Sequence, residues 1–328
     1  MSEQFKIAHR LAHKPGSRYV LATLVKVEGS SYRRAGAQLL IPARGSVIGS
    51  ISGGCLESDL IAHGRSLLAS KRSTDLVTYD TTSENDLLWG VGTGCHGVVK
   101  ILLEVIDGVV SWPNLIVKTG LSRQVSYLET IWTEPDASKC GTRALTALGD
   151  AAPNAFVTTV APPWHLVIFG AGDDAQPLVS LAATLGWDLS VIDPRQAMAQ
   201  PSRFPAAQQV QCLPAETAAT QLTWDDRTAA VIMTHHYRYD LPLLRTLVPL
   251  HLPFLGLLGP RERGSRLMRD AGLGDVTPGQ LLRNPVGLDL GGDGAAAVAL
   301  SIMAEIQATI HGRDARPLFQ RATAIHHE

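Results

Sequence analysis

His165-Leu166-Val167-Ile168-Phe169-Gly170-Ala171-Gly172-Asp173-Asp174-Ala175 decides the fold of the second half of this chain. An apolar run of strand length enters Gly170-x-Gly172-x-x-Ala175, and a helical pattern follows. The next apolar run, Val191-Ile192-Asp193, ends on an acid 23 residues after Gly170 (position 193 against 170). Strand, glycine turn, helix and distal acid in that order form the dinucleotide fingerprint of a Rossmann domain. Asp173 and Asp174 bring negative charge to where a pyrophosphate would lie, although one of them suits a helix N-cap. Pro177 requires the helix to begin late, because proline is tolerated only in the first turn. The spacing therefore predicts the fold, while a bound nucleotide and an empty loop both stay open.

Outward from this motif the second half alternates in βα fashion. Strands are predicted over 165–169, 189–192, 210–213, 229–234 and 254–258, with a last amphipathic helix over 295–310. Three further segments fall at strand ends, where open α/β sheets bind ligands: Thr234-His235-His236, the 256–263 stretch with Arg261 and Arg263, and Asn284-Pro285-Val286-Gly287-Leu288-Asp289. His235 is a candidate acid/base there, Arg261 a candidate anion contact, and a histidine pair alone is too few ligands for a metal.

The first half reads as an α/β domain. A helix is predicted over 5–13, strands over 19–25, 38–41, 46–50 and 98–104, and an amphipathic helix over 55–70. Two glycine-cysteine loops stand out: Gly53-Gly54-Cys55-Leu56-Glu57 and Gly92-Thr93-Gly94-Cys95-His96-Gly97. Ser52 as N-cap would place Cys55 in the first turn, where bare amides and the helix dipole favour an anion or a thiolate. A small cysteine filling a tight helix entry is the other reading. Cys95 has a glycine setting and the adjacent His96, with the same two readings open. The basic loop over 29–36 offers Ser31 and Arg33 as phosphate contacts, or is a solvated turn. Domains are expected over 1–106 and 164–328, with a connecting segment over 107–163 that ends in the stiff Ala161-Pro162-Pro163.

Composition excludes some functions. The chain has 328 residues, 29 Lys+Arg against 30 Asp+Glu, and a net charge of -1, so its overall charge points to neither nucleic acid nor an anionic membrane surface. No apolar run reaches membrane length. Four cysteines without a C-x-x-C pair, and an N-terminus without an apolar signal region, fit a cytoplasmic protein with reduced thiols. Cys140 and Cys212 lack glycine surroundings and read as structural. A symmetric homodimer is the default assembly.

The segments Gly29-Ser30-Ser31-Tyr32-Arg33, Ser52-Gly53-Gly54-Cys55-Leu56-Glu57, the 92–97 loop, the Gly170 loop, Met233-Thr234-His235, Gly256-Leu257-Leu258-Gly259 and Pro285-Val286-Gly287-Leu288-Asp289, in this order, resemble the XdhC/CoxI family of molybdenum-hydroxylase maturation proteins. Asp173, His236 and Pro260 depart from the commoner family pattern. The resemblance implies a chaperone rather than a turnover enzyme. Such a protein binds the molybdenum cofactor (molybdopterin), protects it while a terminal sulfido ligand is installed, and delivers it to an apo-molybdenum hydroxylase such as xanthine dehydrogenase. A cysteine desulfurase-type sulfur donor is the second implied partner. Cys55 is then the metal and sulfur contact, with Cys95 second; Ser31, Arg33, Gly53, Gly54 and Gly94 join them in holding the cofactor. The rival reading is an NAD(P)-dependent oxidoreductase that uses Gly170, Gly172 and Asp193 for the nucleotide and His235 as acid/base. A nucleotide-binding sensor or scaffold is the third.

Overall fold

Strand β9 (His165–Phe169) alternates its side chains between two cores, which explains its unbroken apolar run. Leu166 and Ile168 pack on one face of the sheet, Val167 and Phe169 on the other. A strand covered on both faces has no polar side to show. The computed structural model describes residues 2–14, 16–80, 97–134, 136, 139–274 and 281–321. The chain divides into two compact units, Ser2–Pro162 and Pro163–Glu328.

In the second unit β9 is joined by β10 (Asp188–Ile192), β11 (Gln209–Gln211), β12 (Thr228–Ile232) and β13 (Phe254–Leu257). The order is β11-β10-β9-β12-β13, and every pairing is parallel. That is the doubly wound arrangement of a Rossmann domain, with its switch point between β9 and β12. All five strands lie where the apolar runs predict them, with ends shifted by a residue or two. The sheet edge continues at Gly256, which bridges Arg283.

The first unit is an α/β layer of a different kind. Its main sheet is antiparallel throughout, in the order β3-β2-β1-β5-β4: β3 (Ile48–Gly49), β2 (Gln38–Pro42), β1 (Tyr19–Gly29), β5 (Gly97–Ile106) and β4 (Thr74–Asp80). Helix α2 (Glu57–Ala69) covers one face through Leu60 and Leu67, against Val20, Ala22, Ile41 and Ile101. Gly64 allows this close approach, because a Cβ there would come within 2.8 Å of the Ile41 side chain. Helices α1 (Glu3–His13) and α3 (Trp112–Ser122) cover the other face, on Tyr19, Leu21, Leu40 and Ile106.

Residues 107–162 hold α3 and a three-stranded sheet of β6 (Ser126–Ile131), β7 (Gly141–Leu145) and β8 (Ala155–Val160), ordered β7-β6-β8. β5 is tied to this sheet by Glu104, which accepts a hydrogen bond from the Thr142 N–H. Glu104 is buried, and burial pushes its carboxyl up to about 7 against that hydrogen bond.

Candidate functional site

Loop 50–56 leads into α2 and carries Cys55 at its exposed end. The expectation of an N-cap at Ser52 with free first-turn amides is corrected here. Leu56 occupies the cap position, and α2 begins at Glu57, two residues after Cys55. The loop amides are not free. Glu57 turns back and accepts from Ile51 N–H (2.9 Å), Ser52 N–H (2.8 Å), Gly54 N–H (2.7 Å) and the Ser50 hydroxyl (2.9 Å), and also from the Ser52 hydroxyl. Ser52 Oγ accepts in turn from Leu56 N–H at 2.7 Å. Burial pushes the Glu57 carboxyl up, but the hydrogen bonds from Ser52, Ile51 and Ser50 outweigh it and hold it down at about 2. The anion that these amides attract is therefore supplied by the chain. Its effect is to fix the loop while leaving the Cys55 thiol outside.

Among the described residues, the space at Gly54, next to Cys55 in the chain, is open. Gly54 has φ +123°, a left-handed conformation that L side chains rarely adopt, and a Cβ there would meet nothing within 4 Å. Gly53 is covered by Tyr32, whose ring would lie 2.8 Å from an added Cβ. Loop 29–36 thus lies against the Cys55 loop. Within it Ser31 is half-buried, and Arg33 is engaged by Glu3 through Nη2–Oε2 (2.6 Å) and Nη1–Oε1 (3.4 Å). Arg33 therefore ties this loop to α1. The Gly29–Gly97 register pair closes the same end of the sheet, and a Cβ at Gly97 would approach the Ser30 carbonyl oxygen to 2.4 Å. Gly94 and Cys95 lie outside the described residues. Among the described residues no group of three or more His, Cys, Asp or Glu side chains forms a metal cluster. Cys140 is half-buried, and Cys212 is exposed with Sγ 3.5 Å from the Pro194 carbonyl oxygen.

At the carboxyl edge of the parallel sheet the glycine loop is tightly built. Gly170 has φ +117°, and a Cβ there would lie 2.4 Å from the Met233 carbonyl oxygen. Close approach of β9 and β12 at the switch point thus depends on this glycine. A Cβ at Gly172 would meet the Asp174 carboxylate at 2.4 Å. Helix α4 (Ala175–Thr184) begins at Ala175, so Pro177 falls in its first turn as required, and the next helix, α5, is the single turn Ala215–Ala218.

Charged side chains around the loop are paired with one another. Asp193 is fully buried; it accepts from Ala171 N–H (2.8 Å) and, through both oxygens, from the Arg195 guanidinium (2.8 and 2.7 Å). Burial raises its pKa, but Arg195 and Ala171 outweigh this and hold it below the usual carboxylate range. A ribose hydroxyl would have to displace these partners. Arg203 bonds the Ala171 carbonyl oxygen (2.6 Å) and Asp173 (2.7 Å). His235 Nε2 lies 2.6 Å from Asp174 Oδ2, and its own backbone is left-handed at φ +59°.

The turn that carries His235 rests on a network that residue types alone did not reveal. Thr234 donates to the buried Asp240 in helix α6 (Tyr237–Leu247), and its Oγ1 accepts from His236 N–H at 3.0 Å. Asp240 also receives Arg263 of helix α7 (Arg261–Asp270). Desolvation still pushes the Asp240 carboxyl above its ordinary value against these bonds. Of the basic pair at this helix start, Arg263 turns inward and Arg261 is exposed. The only signal in the sequence is an acid in the first turn of α6, which ordinary helix-dipole pairing explains equally well.

Known proteins share both halves of this arrangement. Residues 166–306 match the XdhC Rossmann domain, and residues 12–80 match the XdhC and CoxI family. A probable xanthine dehydrogenase subunit of Bacillus subtilis (strain 168) is 35% identical over 308 residues, covering 88% of this chain and 92% of that protein. The "Molybdenum cofactor insertion chaperone PaoD" of Escherichia coli (strain K12) is 26% identical over 303 residues, covering 89% and 83%. A crystal structure described as that of a xanthine dehydrogenase from Bacillus halodurans superposes with a TM-score of 0.79 at 29% identity, over 97% of this chain and 99% of that one.

Proposed function

The chain belongs to the XdhC and CoxI family, and from that premise we propose that it carries the molybdenum cofactor as cargo and inserts it into an apo-molybdenum hydroxylase. One observation carries the assignment of the site. Cys55 presents an exposed thiol, on a loop fixed by Glu57, beside the open space at Gly54. Molybdenum held by a dithiolene is a soft centre, and a thiolate is a better partner for it than the carboxylates nearby. The Cys55 thiol gives up its proton to solvent when it ligates. A preordered loop keeps the ordering cost of that contact low.

In this reading the protein catalyses no turnover. Cargo is held at Cys55 while a cysteine desulfurase-type donor installs the sulfido ligand, and it leaves when the hydroxylase supplies a better site. Cys95 and Gly94 are assigned as a second contact from the family pattern. Ser31 and Arg33 border the same loop, with Arg33 acting through its bridge to Glu3. The NAD(P)-dependent alternative has less support, because Asp193 already accepts from Ala171 and Arg195.

Anaerobic incubation of the full chain with molybdenum cofactor, followed by gel filtration, tests the proposal. Molybdenum and pterin should co-elute with the protein, and the loaded fraction should restore activity to an apo-hydroxylase. Elution of metal and pterin apart from the protein would overturn it.

A further inference from the structure

At the far end of the first unit's sheet, three separate stretches bring cations to one cavity. The cavity has a volume of about 600 Å³ and is lined by Arg10, Lys14, Arg18 and Arg44, with Ser17 and Ser46 between them. Arg10 and Lys14 come from the end of α1, Arg18 from the residue before β1, and Arg44 from the turn between β2 and β3. The helix dipole accounts for a cation at the end of α1, but not for Arg18 and Arg44. Among the described residues no acid lines the cavity. Arg18 bonds the Leu68 carbonyl oxygen (3.1 Å) and pairs with the exposed Asp107 (2.9 Å). The side chains of Arg10, Lys14 and Arg44 have no hydrogen-bond or ion-pair partner among the described residues. In a chain whose net charge is -1, this concentration is local rather than an effect of composition.

We propose that this cavity is a second binding site, for a compact polyanion of the phosphate or diphosphate class. Guanidinium forks and an ammonium group converging on a concave space suit phosphate oxygens, and the two serine hydroxyls add neutral donors. The volume falls in the range of small-molecule sites. Its aromatic lining is Tyr19, which is 4% exposed, so the site recognises the anion and offers no ring for stacking a base. It is separate from the Cys55 loop. Tyr19 pairs with Pro42 at the cavity end of β2, whereas Tyr32 and Gly53 meet beyond its Gln38 end. The five residues of β2 span about 15 Å.

Calorimetric titration of the full chain at low salt tests this, with inorganic pyrophosphate as the probe. Saturable one-to-one binding is expected, weakening as sodium chloride is raised. The combined variant Arg10→Gln, Lys14→Gln, Arg44→Gln should keep the parent's thermal midpoint and bind pyrophosphate at least about tenfold more weakly. A titration with ADP separates a free phosphate ligand from the phosphate end of a larger one; ADP should bind no tighter than pyrophosphate. Absence of saturable binding in the parent, unchanged affinity in a folded variant, or markedly tighter ADP binding would each overturn the assignment.

Discussion

Loop 50–56 and loop 170–175 both place glycines just ahead of a helix, and in both a carboxylate of the chain accepts loop amides. Glu57 does so in the first unit, Asp193 in the second. Their surroundings differ. Around Gly170 the nearby polar side chains close on one another: Asp193 on Arg195, Asp173 on Arg203, Asp174 on His235. Tyr32 covers Gly53, but among the described residues nothing lies within 4 Å of where a Cβ at Gly54 would stand, and a thiol is exposed beside it. A glycine loop at a helix start is thus not in itself a vacant anion site. Which side chain folds back onto it decides what the loop can bind.

The largest stability effect expected from this contrast is at Gly170. Gly170→Ala forces a Cβ against the Met233 backbone in a left-handed conformation, and should destabilise the second unit by about 3 kcal/mol or more. Urea unfolding followed by tryptophan fluorescence, to which Trp164, Trp187 and Trp224 of the second unit contribute, measures it, and a loss below about 1 kcal/mol would mean that β9 and β12 tolerate separation. Next comes Asp193→Ala, which strands the Ala171 N–H and leaves Arg195 without its partner. Partial exposure of Arg195 screens the loss, so about 2–4 kcal/mol is expected in the same experiment.

A smaller effect, with a pH signature, is expected at Glu57. Its folded pKa of about 2 lies below the ordinary 4.5, so the stability it contributes is complete above about 4.5 and is lost as pH falls toward 2. Glu57→Gln should cost about 1–2 kcal/mol at pH 7, and the gap to the parent should narrow across that acid window. A gap that stays constant from about pH 7 to about pH 2.5 would show that the carboxylate charge does not hold the loop.

Legibility in the sequence follows the same division. The parallel strands could be read because burial on both faces leaves unbroken apolar runs such as Val167-Ile168-Phe169. Helix α3 could not, because it opens on Trp112-Pro113 and contains Gly120, and β7 could not, because it is short and half exposed. The Cys55 loop was visible from its glycines. Its physical basis was not, since the reach of Glu57 back to Ile51, Ser52 and Gly54 depends on a chain reversal that residue types do not encode. Likewise Asp193 sits where the fingerprint predicts an acid, but Arg195, two residues on, changes what that acid is available for.

The central claim rests on one sulfur atom, and its most direct test is molybdenum and pterin retention by Cys55→Ala beside the parent chain after anaerobic loading. The exposed position of Cys55 leaves the fold intact in the variant, so circular dichroism and thermal midpoint should match. The account predicts that the parent retains metal and pterin together and that the variant retains neither. Equal retention by a folded Cys55→Ala protein would contradict it.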